Sequence, residues 1–531
     1  MSGDTGETPP EGMAGEPGTE SPEASFVEYG IEDEPPLGES LLLGAQHYLT
    51  MIGANIAVPL ILAGAMGMPP DVTAEFVGTF FVVSGVATLA QTTLGNRYPI
   101  VQGASFSIMA PALAVIAVIG TQPTPEGMAQ WEYMIRQLQG AVIVAAAAEM
   151  VIGYFGLVGR LKRYLSPVVI APTIALIGLA LFNVPQIVAA DQNWYILGLT
   201  VFLIVLFSQY LPTYSRAFRL YPVLIGVVVA WGVAAVLTWT GVLPPSDPGA
   251  VDFSLVGSAG LLAFDTVVPM PFQWGMPLFT PAYTIGIFAG FVASVFESFG
   301  DYHAVARIAG VGAPSRKRID HGIGMEGLMS IFAGVMGTGN GCTSYSENIG
   351  AIGLTGVASR YVVQIGAALM LVVGVVGYFG ALVASIPSAV VGGLFVAMFG
   401  QIAAVGLANL KYVDLDSSRN IFVLGFSLFV GLAVPRYMSN VAAAAPKGVA
   451  PAAYFQQGLA QVPVFGPVLG TDVVAQTIYV VGGVGMAVGA LAAFVLDNTI
   501  PGTDEERGLT QWGELAEEEG SSRHPSNASS S

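Results

Sequence analysis

Cysteine is nearly missing from this chain: Cys342 is the only one in 531 residues. A lone thiol excludes an intrachain disulfide and any metal site built from several cysteines. Histidine and lysine are as sparse, with four of each. A membrane-embedded enzyme working through a metal cluster or a nucleophile–base pair would need more of these groups, so no metal, no cofactor and no enzymatic activity are expected. Charge is the next shortage. Only 10% of the residues are charged, against about 25% in an ordinary soluble domain. The N-terminus also lacks a basic region followed by an apolar run, so no signal peptide is expected.

What is present is apolar. Hydrophobic residues make up 53% of the chain and the mean hydropathy is +0.67. Such a chain cannot cover itself with a water-facing surface. It reads as an all-α polytopic membrane protein in contact with lipid, and this excludes a secreted enzyme, a nucleic-acid binder and a disulfide scaffold. The spans should be helical, because lipid satisfies no backbone polar groups and the alternation of a barrel is absent.

The net charge of −18 belongs to the ends. Residues 1–40 hold eleven acids and no base, and residues 502–531 hold seven acids and two arginines. The 461 residues between them hold 18 acids and 16 bases. The ends are rich in Gly, Pro, Ser and Glu, and residues 1–40 and 498–531 read as disordered acidic cytoplasmic tails.

A crossing needs about 20 apolar residues, and by that measure the chain offers about fourteen candidates. They divide into a first set over 41–240, a connection over 241–280 on the extracellular side, and a second set over 281–497. The third and tenth are interrupted by glycine and polar residues. With the N-terminus inside, the cytoplasmic connections carry 13 of the 16 bases between the tails, the exceptions being Arg136, Arg436 and Lys447. This is the positive-inside bias, and it places both ends in the cytoplasm of a multi-pass protein of the cell membrane. Gly103-Ala104-Ser105-Phe106-Ser107 in span three matches Gly341-Cys342-Thr343-Ser344-Tyr345-Ser346 in span ten. An odd offset of about seven spans inverts one half relative to the other, and paired broken helices in inverted halves mark a transporter's midplane site.

Ionisable residues inside spans are costly and by default functional. Glu297 and Asp301 lie four apart and share one helix face. Two stacked carboxylates repel, which suits a proton carrier, whereas the plainer reading is a structural pair satisfied by neighbouring helices. Glu347 opens a segment that could begin a half helix whose free N–H groups point into the site. Ser346 or Asn348 as a simple cap is the competing reading. His47, Glu149 and Glu326 are weaker candidates: the first suits packing, the others hydrogen bonding between helices.

Residues 347–356 fit the signature of the nucleobase–ascorbate transporter family, the xanthine/uracil permeases. Gln46-His47 with Gly53-Ala54 and Pro59, Gly103 through Phe106, Glu297-Ser298-Phe299-Gly300-Asp301 and the tail Asp497 through Thr503 resemble the family's first, third and eighth spans and its C-terminal end. The resemblance covers about residues 40–512. It implies about fourteen spans in two inverted repeats of seven, short strands in the third and tenth, and a core that moves like an elevator against a gate, the gate also forming a homodimer. By position, Glu297 would hold a nucleobase through two hydrogen bonds, Glu347 another edge, and Phe106 would stack on the ring. The backbone at Ala54 and Ser346 would line the pocket. Asp301, His47, Asn348 and, approximately, Glu326 would form the supporting network, with a proton or sodium as the coupling ion. Glu347 resembles uracil permeases, whereas Leu354-Thr355-Gly356-Val357-Ala358-Ser359-Arg360 resembles xanthine members, and Asp301 stands where uracil permeases carry His. Pro at 347 would have pointed to ascorbate. A carboxylate suits two N–H donors and an aromatic face suits the ring plane. The competing readings are a sulfate-permease-like anion exchanger of the same architecture and a passive channel.

Overall fold

The computed structural model describes residues 27–158, 164, 166–263 and 269–510. Most of both acidic tails (residues 1–26 and 511–531) and the loop bases Arg160, Lys162 and Arg163 lie outside the described residues. Among the described residues the regular structure is helical apart from two short strands, and loops connect the helices. In chain order the principal elements, leaving out the shorter connecting helices, are α1 (Leu37–Met66), α2 (Pro70–Thr93), β1 (Gln102–Ala104), α3 (Phe106–Ile119), α4 (Gln130–Tyr154), α5 (Pro167–Ala180), α6 (Trp194–Val205) and α7 (Pro222–Trp239). They continue with α8 (Pro281–Ile308), α9 (Arg316–Met336), β2 (Cys342–Ser344), α10 (Ser346–Thr355), α11 (Arg360–Val375), α12 (Ser388–Ala408), α13 (Ser418–Ala444), α14 (Asp472–Gly482) and α15 (Gly485–Thr499).

Each of the expected spans contains helix, yet not every helix is long enough to cross a membrane alone. Among the described residues six are long and apolar enough, and two bent pairs bring this to eight. One pair is α1, bent by 44° between Leu49 and Met51, and the other is α14 with α15, bent by 98°. Four further apolar helices are shorter. The shortfall has local causes. β1 and β2 take the first part of their segments, and α9 opens on Arg316-Lys317-Arg318 and carries Asp320 and Glu326.

The packing partners come in matching couples. α4 runs along α9 as α11 runs along α2, α1 meets α11 as α8 meets α4, and α3 meets α8 as α10 meets α1. Likewise α7 meets α6 as α14–α15 meet α13, and α5 meets α12. Exchanging the first seven helices with the rest leaves this pattern unchanged, so the fold has two related halves. It also separates two bundles: α1–α4 with α8–α11, and α5–α7 with α12–α15. In the first bundle α4 and α9 touch backbone to backbone. A Cβ on Gly153 would collide with the main chain of Gly324, and one on Gly327 with that of Met150. Small residues allow such close approach where lipid gives helices no hydrophobic reason to associate.

The strands join the halves at the centre of the first bundle. β1 and β2 pair antiparallel with Gln102 opposite Ser344, Gly103 opposite Thr343 and Ala104 opposite Cys342. The ring of Tyr345 fills the space beside Gly103, and its hydroxyl donates to the carbonyl of Ala104 at 2.9 Å.

Order begins earlier than the composition suggests. Residues 27–36 belong to the stretch read as disordered through residue 40, but they form a strap against the loop that ends α10. Tyr29 bridges to Val357, and the amides of Ala358 and Arg360 donate to Tyr29 and Ile31. Glu32 accepts from Arg360 Nε at 2.8 Å and pairs with Arg97 at 3.4 Å. Backbone pairing to a folded partner supplies here what apolar burial does not. At the other end, residues after Thr499 turn back under the second bundle, where Asn420 Nδ2 donates to the carbonyl of Glu506 at 2.7 Å. The 241–280 connection caps the first bundle: Trp274 Nε1 donates to the carbonyl of Gly337 at 3.0 Å and Gln273 Nε2 to Thr79 Oγ1 at 2.9 Å.

Candidate functional site

A cavity of about 700 Å³ lies between the two bundles. Its inner wall is the strand crossing and the helix starts that follow it. Helix α3 begins at Phe106 and α10 at Ser346, each directly after a strand. The first turn of a helix has N–H groups without intrahelical partners, and its positive end favours carbonyl or anionic ligand atoms. Two such ends therefore meet at one place, which explains why the sequence breaks both spans with glycine and serine.

The five residues expected to hold substrate all line this cavity: Ala54, Phe106, Glu297, Ser346 and Glu347, with Asp301 beside them. Ala54 and Phe106 are buried in its wall, whereas Ser346 and Glu347 are exposed within it. One turn of α8 separates Glu297 from Asp301, so both reach the same space. They differ in their partners. Asp301 accepts from Ser346 Oγ at 2.7 Å and Ser344 Oγ at 2.9 Å. Glu297 Oε2 has no hydrogen-bond partner. Asp301 is thus held by the protein, and Glu297 is left as an acceptor for something else.

His47, Asn348 and Glu326 do not line the cavity; they stand behind it. Asn348 Nδ2 lies 3.0 Å from His47 Nδ1, and its Oδ1 accepts from the amide of Val101 at 2.9 Å. This links α1, α10 and the entry to β1. Asn340 plays the corresponding part at the other strand, accepting from the amide of Ser105 at 3.0 Å and donating to its carbonyl at 3.1 Å. Glu326 Oε1 accepts from Ser298 Oγ at 2.9 Å, as expected of a group that hydrogen-bonds between helices. Glu149 does not fit that expectation: it is fully buried and neither carboxyl oxygen has a partner.

Sequence reasoning missed several contributors. Thr343, Ser344 and Tyr345 stand in the broken tenth span and Ser298 beside Glu297, but the sequence gives none of them a role of its own. The Ser344, Ser298 and Thr343 hydroxyls form a chain, with Ser344 Oγ 2.9 Å from Ser298 Oγ and Ser298 Oγ 3.2 Å from Thr343 Oγ1. The signals were the broken-span motif at 341–346 and nearness to Glu297 and Glu347. The cavity mouth carries Arg219, Arg307 and Lys411, which were read only as loop charges.

A family model described as "Permease family" matches residues 38–439. The human Solute carrier family 23 member 2 is 41% identical over 530 residues, covering 93% of this chain and 78% of that protein. The chain belongs to the nucleobase–ascorbate transporter family. Nucleobase-ascorbate transporter 12 of Arabidopsis thaliana is 34% identical, covering 92% of this chain and 72% of that protein. The structure of the murine Solute Carrier 26 family member A9 anion transporter in the inward-facing state has a similar fold. Its TM-score is 0.55 at 14% identity, and the match covers 75% of this chain and 66% of that one. The chain is therefore a multi-pass membrane transporter and not an enzyme, and its helices share their arrangement with a second transporter family.

Proposed function

We propose that this transporter imports a nucleobase, uracil or xanthine, across the cell membrane by proton symport. Glu297, which lines a cavity with Phe106 and two helix N-termini and whose Oε2 has no partner in the protein, carries this reading. A flat ring with alternating N–H and C=O groups matches each part. The Glu297 carboxylate accepts from two ring N–H groups. The N–H groups at the starts of α3 and α10 receive the ring carbonyls, Glu347 takes a further edge and Phe106 covers the ring face. Acids at the strand crossing oppose sulfate, so the anion-exchanger reading is not favoured.

In this reading the first bundle is a core that carries the site, with His47, Asn348, Asp301 and Glu326 as its support. The second is the gate, which holds the protein as a homodimer. The core slides like an elevator because each bundle packs mainly within itself. The halves at 41–240 and 281–497 are the two repeats, with both tails cytoplasmic. The mouth with Arg219, Arg307 and Lys411 then opens to the cytoplasm, following the positive-inside bias.

Uptake of labelled uracil, xanthine and ascorbate into vesicles, with and without a proton-gradient collapser, tests the reading. Concentrative uptake of one base that collapses with the gradient is expected. Ascorbate uptake alone, or loss of uptake on replacing sodium, would replace the substrate or the ion. Glu297→Gln should abolish base uptake in a folded, inserted protein, since each hydrogen bond to a charged group contributes about 1.5–3 kcal/mol. Wild-type uptake by that variant removes Glu297 from the site.

A further inference from the structure

Behind the strands, on the side away from the cavity, a second pair of acids is enclosed. Glu149 on α4 and Glu326 on α9 lie where these helices touch, each within the other's electrostatic field. Glu149 has no partner at either oxygen, whereas Glu326 is met only by the neutral groups Ser298, Gln102 and Tyr302. The side-chain amide of Gln102 on β1, 1% exposed, and the hydroxyl of Tyr302 on α8 stand against the Glu326 carboxyl. The other titratable groups facing the pair are Tyr302 on α8 and Cys342 on β2, while Asp301 and Glu297 act on Glu326 from the cavity side. Among the described residues no Lys, Arg or His forms an ion pair with either acid. Two carboxylates enclosed without counter-charge cannot both stay ionised at acceptable cost.

The pair is also connected. Glu326 Oε1 accepts from Ser298 Oγ at 2.9 Å, Ser298 Oγ lies 2.9 Å from Ser344 Oγ, and Ser344 Oγ lies 2.9 Å from Asp301 Oδ2. Two hydroxyls thus span the distance from the cavity wall to the buried pair without a break. Each is both donor and acceptor, so the chain can pass a proton by turning over its hydrogen bonds.

We propose that Glu149 and Glu326 form a proton-storage site that exchanges with the substrate cavity through Ser298 and Ser344. In the transfer, the carboxyl of Asp301 gives its proton to Ser344, whose own hydroxyl proton moves to Ser298, and that of Ser298 moves to Glu326. Both hydroxyls are regenerated, and one proton has left Asp301 and arrived on the acid pair. No oxidant or further reactant takes part. The site adds a residue, Glu149, and a route to the proton coupling proposed above, and it rests on that reading for its purpose. Its existence can be tested without any substrate. A metal ion is a poorer occupant, since among the described residues no group of three His, Cys, Asp or Glu is placed to hold one.

The test is infrared titration of the full chain in lipid vesicles. The wild type should show a protonated-carboxyl band that changes with pH at fixed sodium and is lost or shifted in both Glu149→Gln and Glu326→Gln. Ser298→Ala should keep the band but slow its deuterium exchange, by about tenfold for a barrier higher by about 1.4 kcal/mol. Absence of such a band at every pH, a band untouched by both glutamine variants, or one that follows sodium rather than pH overturns the site. Exchange in Ser298→Ala as fast as in the wild type overturns the route. Glu149→Gln should also retain base exchange between preloaded vesicles and lose gradient-driven accumulation. If the wild type carries none of the bases tested, the proposed function fails while the infrared result still stands by itself.

Discussion

Replacing Asp497 with asparagine should do more damage than replacing either arginine around it. Asp497 closes α15 and is fully buried beneath the second bundle. Its Oδ2 accepts from Arg507 Nη2 at 2.8 Å and from Ser166 Oγ at 2.8 Å. Its Oδ1 lies 2.9 Å from the Arg419 guanidinium, at an angle that makes an ion pair and not a hydrogen bond. Arg419 also donates to the carbonyls of Asp497 and Ile500 at 2.6 and 3.1 Å. One carboxylate thus serves two guanidiniums that are only 8% and 13% exposed. Asparagine keeps the shape, removes the charge and leaves Arg419 buried without a counter-ion and Arg507 with only the exposed Asp504 at 3.9 Å, a loss of about 3–5 kcal/mol. Arg507→Gln leaves a one-to-one pair and costs about 1–3 kcal/mol. The double variant should recover part of the Asp497→Asn loss, because one of the repelling cations is gone. Thermal unfolding of the purified full-length protein in lipid reads all three. Equal melting of Asp497→Asn and wild type, or a larger loss in Arg507→Gln, would refute the argument that the shared charge is the anchor.

Two other outcomes are expected. Phe106→Ala should weaken base binding by about 1–3 kcal/mol if its ring stacks on the ligand, read by the midpoint of base-induced thermal stabilisation; an unmoved midpoint places the ring elsewhere. Arg360, and more weakly Arg97, hold the Glu32 carboxyl below the usual glutamate range. A carboxyl depressed on folding stabilises the strap above its unfolded value, and this is lost as pH falls through the lower folded value. Protection of the Ala358 and Arg360 amides, taken as the exchange rate relative to an unstructured amide at the same pH, should therefore be high and flat above about pH 5 and fall only in stronger acid. Glu32→Gln should exchange faster throughout and lose the acid step.

The parts of the site that were legible in the sequence are those that break a rule of the membrane interior. Glu297, Asp301 and Glu347 are acids in apolar runs, and Gly103 and Gly341 interrupt spans that would otherwise be continuous. Each violation marks a backbone or a charge that needs tertiary support, and the structure brings the three acids to one cavity wall, with the strand crossing behind it. The residues that provide the support left no such mark. Gln102, Ser298 and Ser344 are unremarkable in composition; what makes them matter is the antiparallel pairing of segments some 240 positions apart in the chain and the packing of α8 against it. Glu149 was visible as an acid but not as an unpartnered one, since pairing depends on which helix face meets it. The strap at 27–36 was read as disordered because its composition is acidic and Pro-rich, and composition says nothing about a backbone partner at Val357 and Ala358. The span count suffers from the same limit: length and apolarity suit straight helices, and this fold completes several crossings with strands and bends.

The three-residue pairing of β1 with β2 also constrains how such a chain can vary. Side chains on a strand alternate between faces, so a slip of one residue reverses the orientation of every residue on it. Here Gln102 and Ala104 share one face and Gly103 the other, with Tyr345 filling the space that a side chain at 103 would need. A single-residue insertion before Gln102 would offer the tyrosine ring a neighbour with a Cβ and move the amide away from the acids behind it. A compensating insertion before Cys342 restores the pairing but not those contacts. Insertions and deletions near either strand should therefore be far rarer among functional variants than point substitutions, and those that survive should avoid the four residues before each strand.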